Sequence, residues 1–338
     1  MDNIDKLVSS ILEGNKTKKY NVLFTPRRVE KRIKDRLEWA KRILQRKHID
    51  DDLDLSGLSI TDLGNLESIT GDLDLSDTRI DSLEPLKSVG GYLILVNTFI
   101  DSLGSLKSVG GSLYFFNASV TSLGSLESVG GDLSLSGDSI KDLGSLKYVR
   151  GNFFLYNTSV TSLGSLKSVG GYLDLRDTPI TDLGSLESVG GDLDLRDTNI
   201  TNLGSLKRVK GNLSLSYTFI TSLGSLKSVG GFLGLDHTPI TDLGSLEQVE
   251  GNLSLWDDTY IKSLGSLRSV GGSLDLVNSS ITDLGSLELV GGDLYLKNTS
   301  VTNLGSLQSV GKIVINRNSK LDIDNLPEHL KNKVHFES

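Results

Sequence analysis

The 338-residue sequence contains no cysteine, a single methionine, two tryptophans and five prolines. Without thiols it can build neither a disulfide framework nor a thiolate metal site, which fits a reducing compartment without demanding one. No apolar run approaches the length of a membrane span, and the opening "MDNIDKLVSSILEGNKTKKY" lacks the apolar core of a signal peptide. Neither membrane contact nor signal-directed secretion is therefore expected. Triplets such as Asn117-Ala118-Ser119 match a glycan acceptor pattern, but the repeat composition alone generates them. Histidine is scarce as well: His48, His237, His329 and His335 lie in different regions, so they suggest no metal site and no nucleophile–base pair. The glycine pairs lack the lysine of a phosphate-binding loop. No catalytic residue, metal or cofactor is expected, and an enzyme is the least expected class.

What the chain has in abundance is glycine, 37 residues of it, most of it in a repeat. "LGSLKSVGG" occurs at 103–111, 163–171 and 223–231, and "LGSLESVGG" at 123–131 and 183–191, each followed by a different sequence. From Asp51 the chain divides into thirteen 20-residue units beginning at 51, 71 and so on to 251, then at 272 and 292, the shift being set by an extra residue in "WDDTYI". The pattern is G-x-L-x-L-x-x-T-x-I-T-x-L-G-S-L-x-S-V-G. Positions 13 and 16 are Leu in every unit, and positions 10 and 19 are Ile or Val throughout.

Alternation at positions 3 and 5 predicts a short strand with both aliphatic side chains inward and positions 2, 4 and 6 outward. Position 1 is Gly in twelve units and is expected to be a turn residue with positive φ; position 14, Gly in twelve units with Glu84-Pro85 as the exception, reads as a second turn. Thr, present at position 8 in nine units, is expected to ladder its hydroxyls between units. Two turns in 20 residues leave no room for a helix of ordinary length. A lone unit cannot offset the entropy of ordering itself, roughly 1.5 kcal/mol per residue, so the units must stack.

The segment "GYLDLRDTPITDLGSLESVGG" (171–191) resembles a leucine-rich-type repeat, with L-x-L-x-x-T-x-I in place of L-x-L-x-x-N-x-L. The "VGGxLxL" turn also resembles the β-solenoid L domains of growth-factor receptors, although their cysteine-bearing ends are missing. The likeness is nearest to the short, regular leucine-rich-repeat proteins encoded by bacteriophages and large DNA viruses, and it covers residues 51 to about 318. The resemblance implies a mainly β fold: a single right-handed, leucine-rich-repeat-like β-solenoid of about thirteen 20-residue coils with an α-helical N-terminal cap. It also implies a viral or phage protein, cytoplasmic in a host cell or carried on the virion. The expected organisation is a basic helical segment over 1–48, the solenoid over 49–311 and a C-terminal cap over 312–338.

Charge is distributed unevenly. Residues 1–48 carry 14 Lys/Arg against 6 Asp/Glu, and residues 49–338 carry 21 against 37. "TPRRVEKRIKDRLEWAKRILQRK" (25–47) predicts a helix capped by Thr25 and Pro26, with Val29, Ile33, Leu37, Ala40 and Leu44 on one face. Its other face offers Arg27, Arg28, Lys31, Arg32, Lys34 and Arg36 as candidates for an anionic surface. The competing reading is a cap drawn to an acidic solenoid. Downstream, "KIVINRN" predicts a last strand and "LPEHLKNK" a short helix. Stacked carboxylates, Asp52 and Asp54 by Asp72 and Asp74, and Asp174 and Asp177 by Asp194 and Asp197, read as a solvated charge ladder rather than a calcium site, with Arg176 and Arg196 neutralising the second group.

The invariant half of each unit is packing; the outward half is free to vary, position 6 using eight residue types. On that face stand Tyr92, Ile94, Val96, Tyr114, Phe116, Phe154, Tyr156 and Tyr172, with Trp256 farther along. Aromatic and aliphatic side chains on a rigid outward face mark a protein-binding surface. The leading expectation is a non-enzymatic protein-interaction module for a protein partner. Two alternatives stand beside it: a virion structural or decoration component docked by its basic N-terminal segment, and nucleic-acid binding through residues 16–47.

Overall fold

The computed structural model describes residues 26–116, 119–136, 140–257 and 260–337, without the side chains of 26–30 and Ser136. The expected Thr25 cap and the Val29 contact lie outside that description. The chain winds as a parallel β-solenoid of about fourteen coils, its strands forming two sheets of thirteen and fifteen strands among the described residues. Positions 18 and 19 of the first twelve units enter the smaller sheet and positions 3 and 4 of each unit the larger, each strand pairing with its counterpart one unit on: Ser168 with Ser188, Leu173 with Leu193. At ~4.8 Å per strand the stack is about 65 Å long.

The core is the periodicity made solid. Side chains at positions 3, 5, 10, 13, 16 and 19 point inward and form one continuous column, as in the coil holding Phe153, Leu155, Val160, Leu163, Leu166 and Val169, none more than 1% exposed. Each such side chain removed from water contributes ~1.5–3 kcal/mol, and the neighbouring coils supply the burial. Position 8 closes the strand differently from the expectation. Thr78 and Thr198 each donate their hydroxyl to the carbonyl three residues back in the same coil, Leu75 and Leu195, at 2.7 Å. These hydroxyls cap their own turn instead of pairing between coils.

The turns fall at positions 7 and 14. Where it is Gly, position 14 adopts positive φ, as at Gly124 (+55°) and Gly164 (+57°), and its N–H donates to the Asp, Ser or Asn at position 12: Gly144 to Asp142 at 2.8 Å, Gly204 to Asn202 at 3.0 Å. Position 1 does not adopt positive φ, contrary to the sequence expectation. Its glycine is required by close approach between coils: a Cβ at Gly151 would lie 2.6 Å from the carbonyl carbon of Gly131 and 2.7 Å from the backbone nitrogen of Asp132. The other left-handed position is 7, occupied by Gly, Asp or Asn in eleven of the thirteen units.

Helix α1, Pro26–Ile43, covers the first coil with its C-terminal half. Ala40 and Leu44 are buried, Leu37 and Ile43 pack against the same core, and Ile33 is 54% exposed, so the apolar stripe ends earlier than the heptad-like spacing suggests. Asn65 N–H donates to the Leu44 carbonyl and Thr70 N–H to that of Ile49, splicing the helix into the stack. At the far end, "KIVINRN" opens a further coil: Ile313 pairs with Leu294, and Ile313, Ile315, Leu321, Leu326 and Leu330 are buried. The expected short helix, α2, is Glu328–Lys331, and an unforeseen strand, Val334–Phe336, pairs on the outer side of Ile313–Ile315.

Candidate functional site

Along the outward face of the larger sheet, four consecutive coils carry strands twice the usual length: Leu93–Val96, Leu113–Phe116, Leu133–Ser136 and Phe153–Tyr156. Elsewhere an Asp at position 4 turns back to accept the N–H of position 6, as Asp74 does from Ser76 at 2.8 Å and Asp174 from Arg176 at 3.1 Å, and the ladder stops. Ile94, Tyr114, Ser134 and Phe154 have no carboxylate to compete with the ladder, so pairing runs on to position 6. The two-residue strands at Ser214, Gly234, Ser254 and Tyr295 lack that explanation.

The long strands place the sequence-predicted residues in register. Ile94 pairs with Tyr114 and Val96 with Phe116; Ser134 pairs with Tyr114 on one side and Phe154 on the other. Two aromatic groups result. Tyr92 and Tyr114 stack at 6.4 Å between ring centroids, and Phe154 lies against Tyr156 at 5.8 Å and edge-on to Tyr172 at 5.9 Å. Tyr92 and Phe116 are nearly half exposed, and Ile94, Val96, Tyr114, Phe154, Tyr156 and Tyr172 are partly buried against one another. Only the Ser134 coil separates the groups, leaving a gap of about 10 Å between flanking strands; Gly137, which the sequence adds to the same coil, lies outside the described residues.

A carboxylate bounds each side. Asp74 pairs in the sheet with Ile94, and Asp174 with Phe154. Asp174 and Asp194 are buried, and Arg176 bridges them, at 2.7 Å to the first and 3.3 Å to the second, while Arg196 holds Asp194 at 2.7 Å. The neutralisation expected from the sequence is therefore present. Burial works against ionisation of Asp174, but the side chain and backbone N–H of Arg176 hold its pKa below the ordinary value. Burial pushes the Tyr172 phenol well above its usual pKa, with the Asp174 and Asp194 carboxylates and a hydrogen bond to Asp174 adding to it.

Position 2 is not free, as the sequence suggests, but forms a ladder between coils. Asp72 Oδ1 accepts the Tyr92 N–H at 2.7 Å, Asp132 that of Asn152 at 2.6 Å, and Asn152 that of Tyr172 at 2.8 Å. Ten of the thirteen units place Asp, Asn or Ser here; the exceptions are Tyr92, Tyr172 and Phe232. An aromatic ring gives up the acceptor. Tyr92 and Tyr172 stand at the two edges of the aromatic face.

Trp256 is not part of this surface. It lies four coils beyond Tyr172, beside a group the sequence reading misses: Tyr217 stacks on His237 at 4.8 Å, and His237 meets Trp256 edge-on at 5.7 Å. Phe219 and Phe232 are also exposed nearby in the sequence. The overlooked signal is the Gly/Asp/Asn column at position 7, which Tyr217 and His237 alone interrupt.

Of the basic candidates on α1, Arg36 is engaged with the solenoid, reaching both the carbonyl and Oδ1 of Asp54 at 3.2 Å. Lys31 and Lys34 are exposed, and the side chains of Arg27 and Arg28 lie outside the described residues. Among the described residues no group of three or more His, Asp or Glu is placed to hold a metal ion, and no helix is long and apolar enough to cross a membrane. No protein-family model matches the chain, and no curated protein matches it.

Proposed function

We propose that this chain is a non-enzymatic protein-interaction module whose partner inserts a side chain or loop between the aromatic groups of Tyr92/Tyr114/Phe116 and Phe154/Tyr156/Tyr172. A repeat solenoid is compatible with such a role. The observation that carries the reading is the replacement of the position 2 ladder by Tyr92 and Tyr172 at the two edges of one patch. Each replacement forgoes a hydrogen bond of about 1 kcal/mol to the next coil. Packing does not ask for the exchange, since both rings lie on the outward side; recognition does. Resemblance to the leucine-rich-repeat proteins of phages and large DNA viruses extends the proposal to a viral protein acting in a host cell or on a virion. Docking through the basic face of α1 is the weaker reading, because Arg36 already serves the solenoid.

The test is a Phe116→Ser/Tyr156→Ser double variant. Both side chains point away from the core, so the melting temperature should stay within a few degrees of wild type, while recovery of the partner from source-cell extract should fall by tenfold or more, roughly 1.4 kcal/mol. Unchanged recovery would remove the site from this face.

A further inference from the structure

Tyr217 and His237 occupy the turn position that nearly every other coil gives to Gly, Asp or Asn, and they do so with φ of 61° and 57°. Left-handed backbone is open to glycine and tolerated by short polar side chains; a tyrosine there works against the fold. Nor do the rings repay it by burial, since Tyr217 is 59% exposed and His237 is exposed as well. The two departures fall on adjacent coils and their rings stack. Histidine is tolerated in this region, but a tyrosine that the turn disfavours, stacked on an exposed histidine of the next coil without a packing gain, points to a ligand.

The surrounding charge says which kind. In the position 7 column the stacked pair is flanked by Asp197 one coil before Tyr217 and Asp257 one coil after His237, the registers Leu193–Leu213, Leu213–Leu233 and Leu233–Leu253 setting the order. Both aspartates are exposed, and the larger segment of the chain around them, 49–338, is strongly acidic. Tyr217 lies one coil, ~4.8 Å, from Asp197, and His237 one coil from Asp257, so a planar cation lying on an outer ring face can meet the carboxylate beside it with its edge. We propose that Tyr217, His237 and Trp256, with Asp197 and Asp257, form a seat for an arginine side chain presented by a basic peptide segment of a protein partner. The seat is separate from the aromatic face around Ser134, and neither proposal depends on the other.

The experiment uses the full chain carrying Trp39→Phe, which leaves Trp256 as the single tryptophan reporter. The probe is a short Gly/Ser peptide bearing several arginines, compared with its lysine and uncharged counterparts. The arginine peptide should shift Trp256 emission saturably and bind roughly tenfold more tightly than the lysine peptide. Tyr217→Asn/His237→Asn should weaken that binding by roughly tenfold while the melting temperature stays level or rises, because asparagine suits the turn better. Phe116→Ser/Tyr156→Ser should leave arginine-peptide binding unchanged. Equal affinity for the lysine peptide, unaltered binding by the double asparagine variant, or a lower melting temperature in that variant would each overturn the proposal. So would loss of peptide binding in the Phe116/Tyr156 variant.

Discussion

The backbone N–H of Tyr172 is held by the side-chain oxygen of Asn152, 20 residues earlier and one coil away, at 2.8 Å. The bond joins a side chain of one layer to the main chain of the next, so it ties the stack together without using any of the core. Asn152→Ala should leave that amide without its acceptor, at a cost of about 1–2 kcal/mol. Asn152→Asp, which copies the residue at Asp72 and Asp132, should be close to neutral. Amide hydrogen exchange at Tyr172 reads the effect locally. Equal protection in wild type and the alanine variant would show that the ladder contributes nothing.

Two glycines with different duties give a second prediction. Gly151 has ordinary φ but no space, and Gly124 has positive φ with no atom within 4 Å of an added Cβ. Gly151→Ala should force neighbouring coils apart and cost ~1–3 kcal/mol, whereas Gly124→Asn should cost a few tenths. Thermal melting of the two variants compares them directly. If the asparagine variant is the less stable, the assignment of crowding to position 1 and of left-handed backbone to position 14 fails.

Acid sensitivity follows from the column at position 17. Glu67 accepts from Lys47 at 2.7 Å and Lys87 at 2.6 Å, and these hydrogen bonds, with the charge attraction behind them, lower its pKa from 4.5 to about 2. A pKa depressed in the folded state means stability that is present in full above the unfolded value and is lost as pH falls from about 4.5 through about 2. Because the site is exposed the gain is small and salt-sensitive. Glu67→Gln should therefore melt below wild type at neutral pH, with the difference shrinking through that window and closing near its lower end. A difference that persists unchanged below pH 2 would mean that the carboxylate charge is not its source.

The coil period, the inward columns and the capping helix were all legible in the sequence, because each depends on residues that repeat every 20 positions or every turn of one helix. The duties of the two glycines were not. Gly71 and Gly64 carry the same letter, and only the layers above and below distinguish crowding from left-handed backbone. Position 2 was hidden for a related reason: Asp72 reads as a solvated charge until the next coil brings the Tyr92 amide to it. The aromatic face was visible because residues 20 apart become neighbours. Tyr217 and His237 escaped since they sit just past the strand, in a column whose Gly/Asp/Asn content marks a turn. The additional coil after Val310 was obscured by a deletion that shifts the repeat by one residue.

The in-register pairing of Ser134 with both Tyr114 and Phe154 makes the distance between the aromatic walls a whole number of layers. A solenoid cannot widen such a cleft gradually; it can only gain or lose a coil. Inserting or removing one whole 20-residue unit between two "LGSLKSVGG" copies would change the separation by one layer and leave each wall intact. The chemistry of the walls and the distance between them can therefore vary independently: point substitution changes the first, and copy number changes the second in increments of ~4.8 Å.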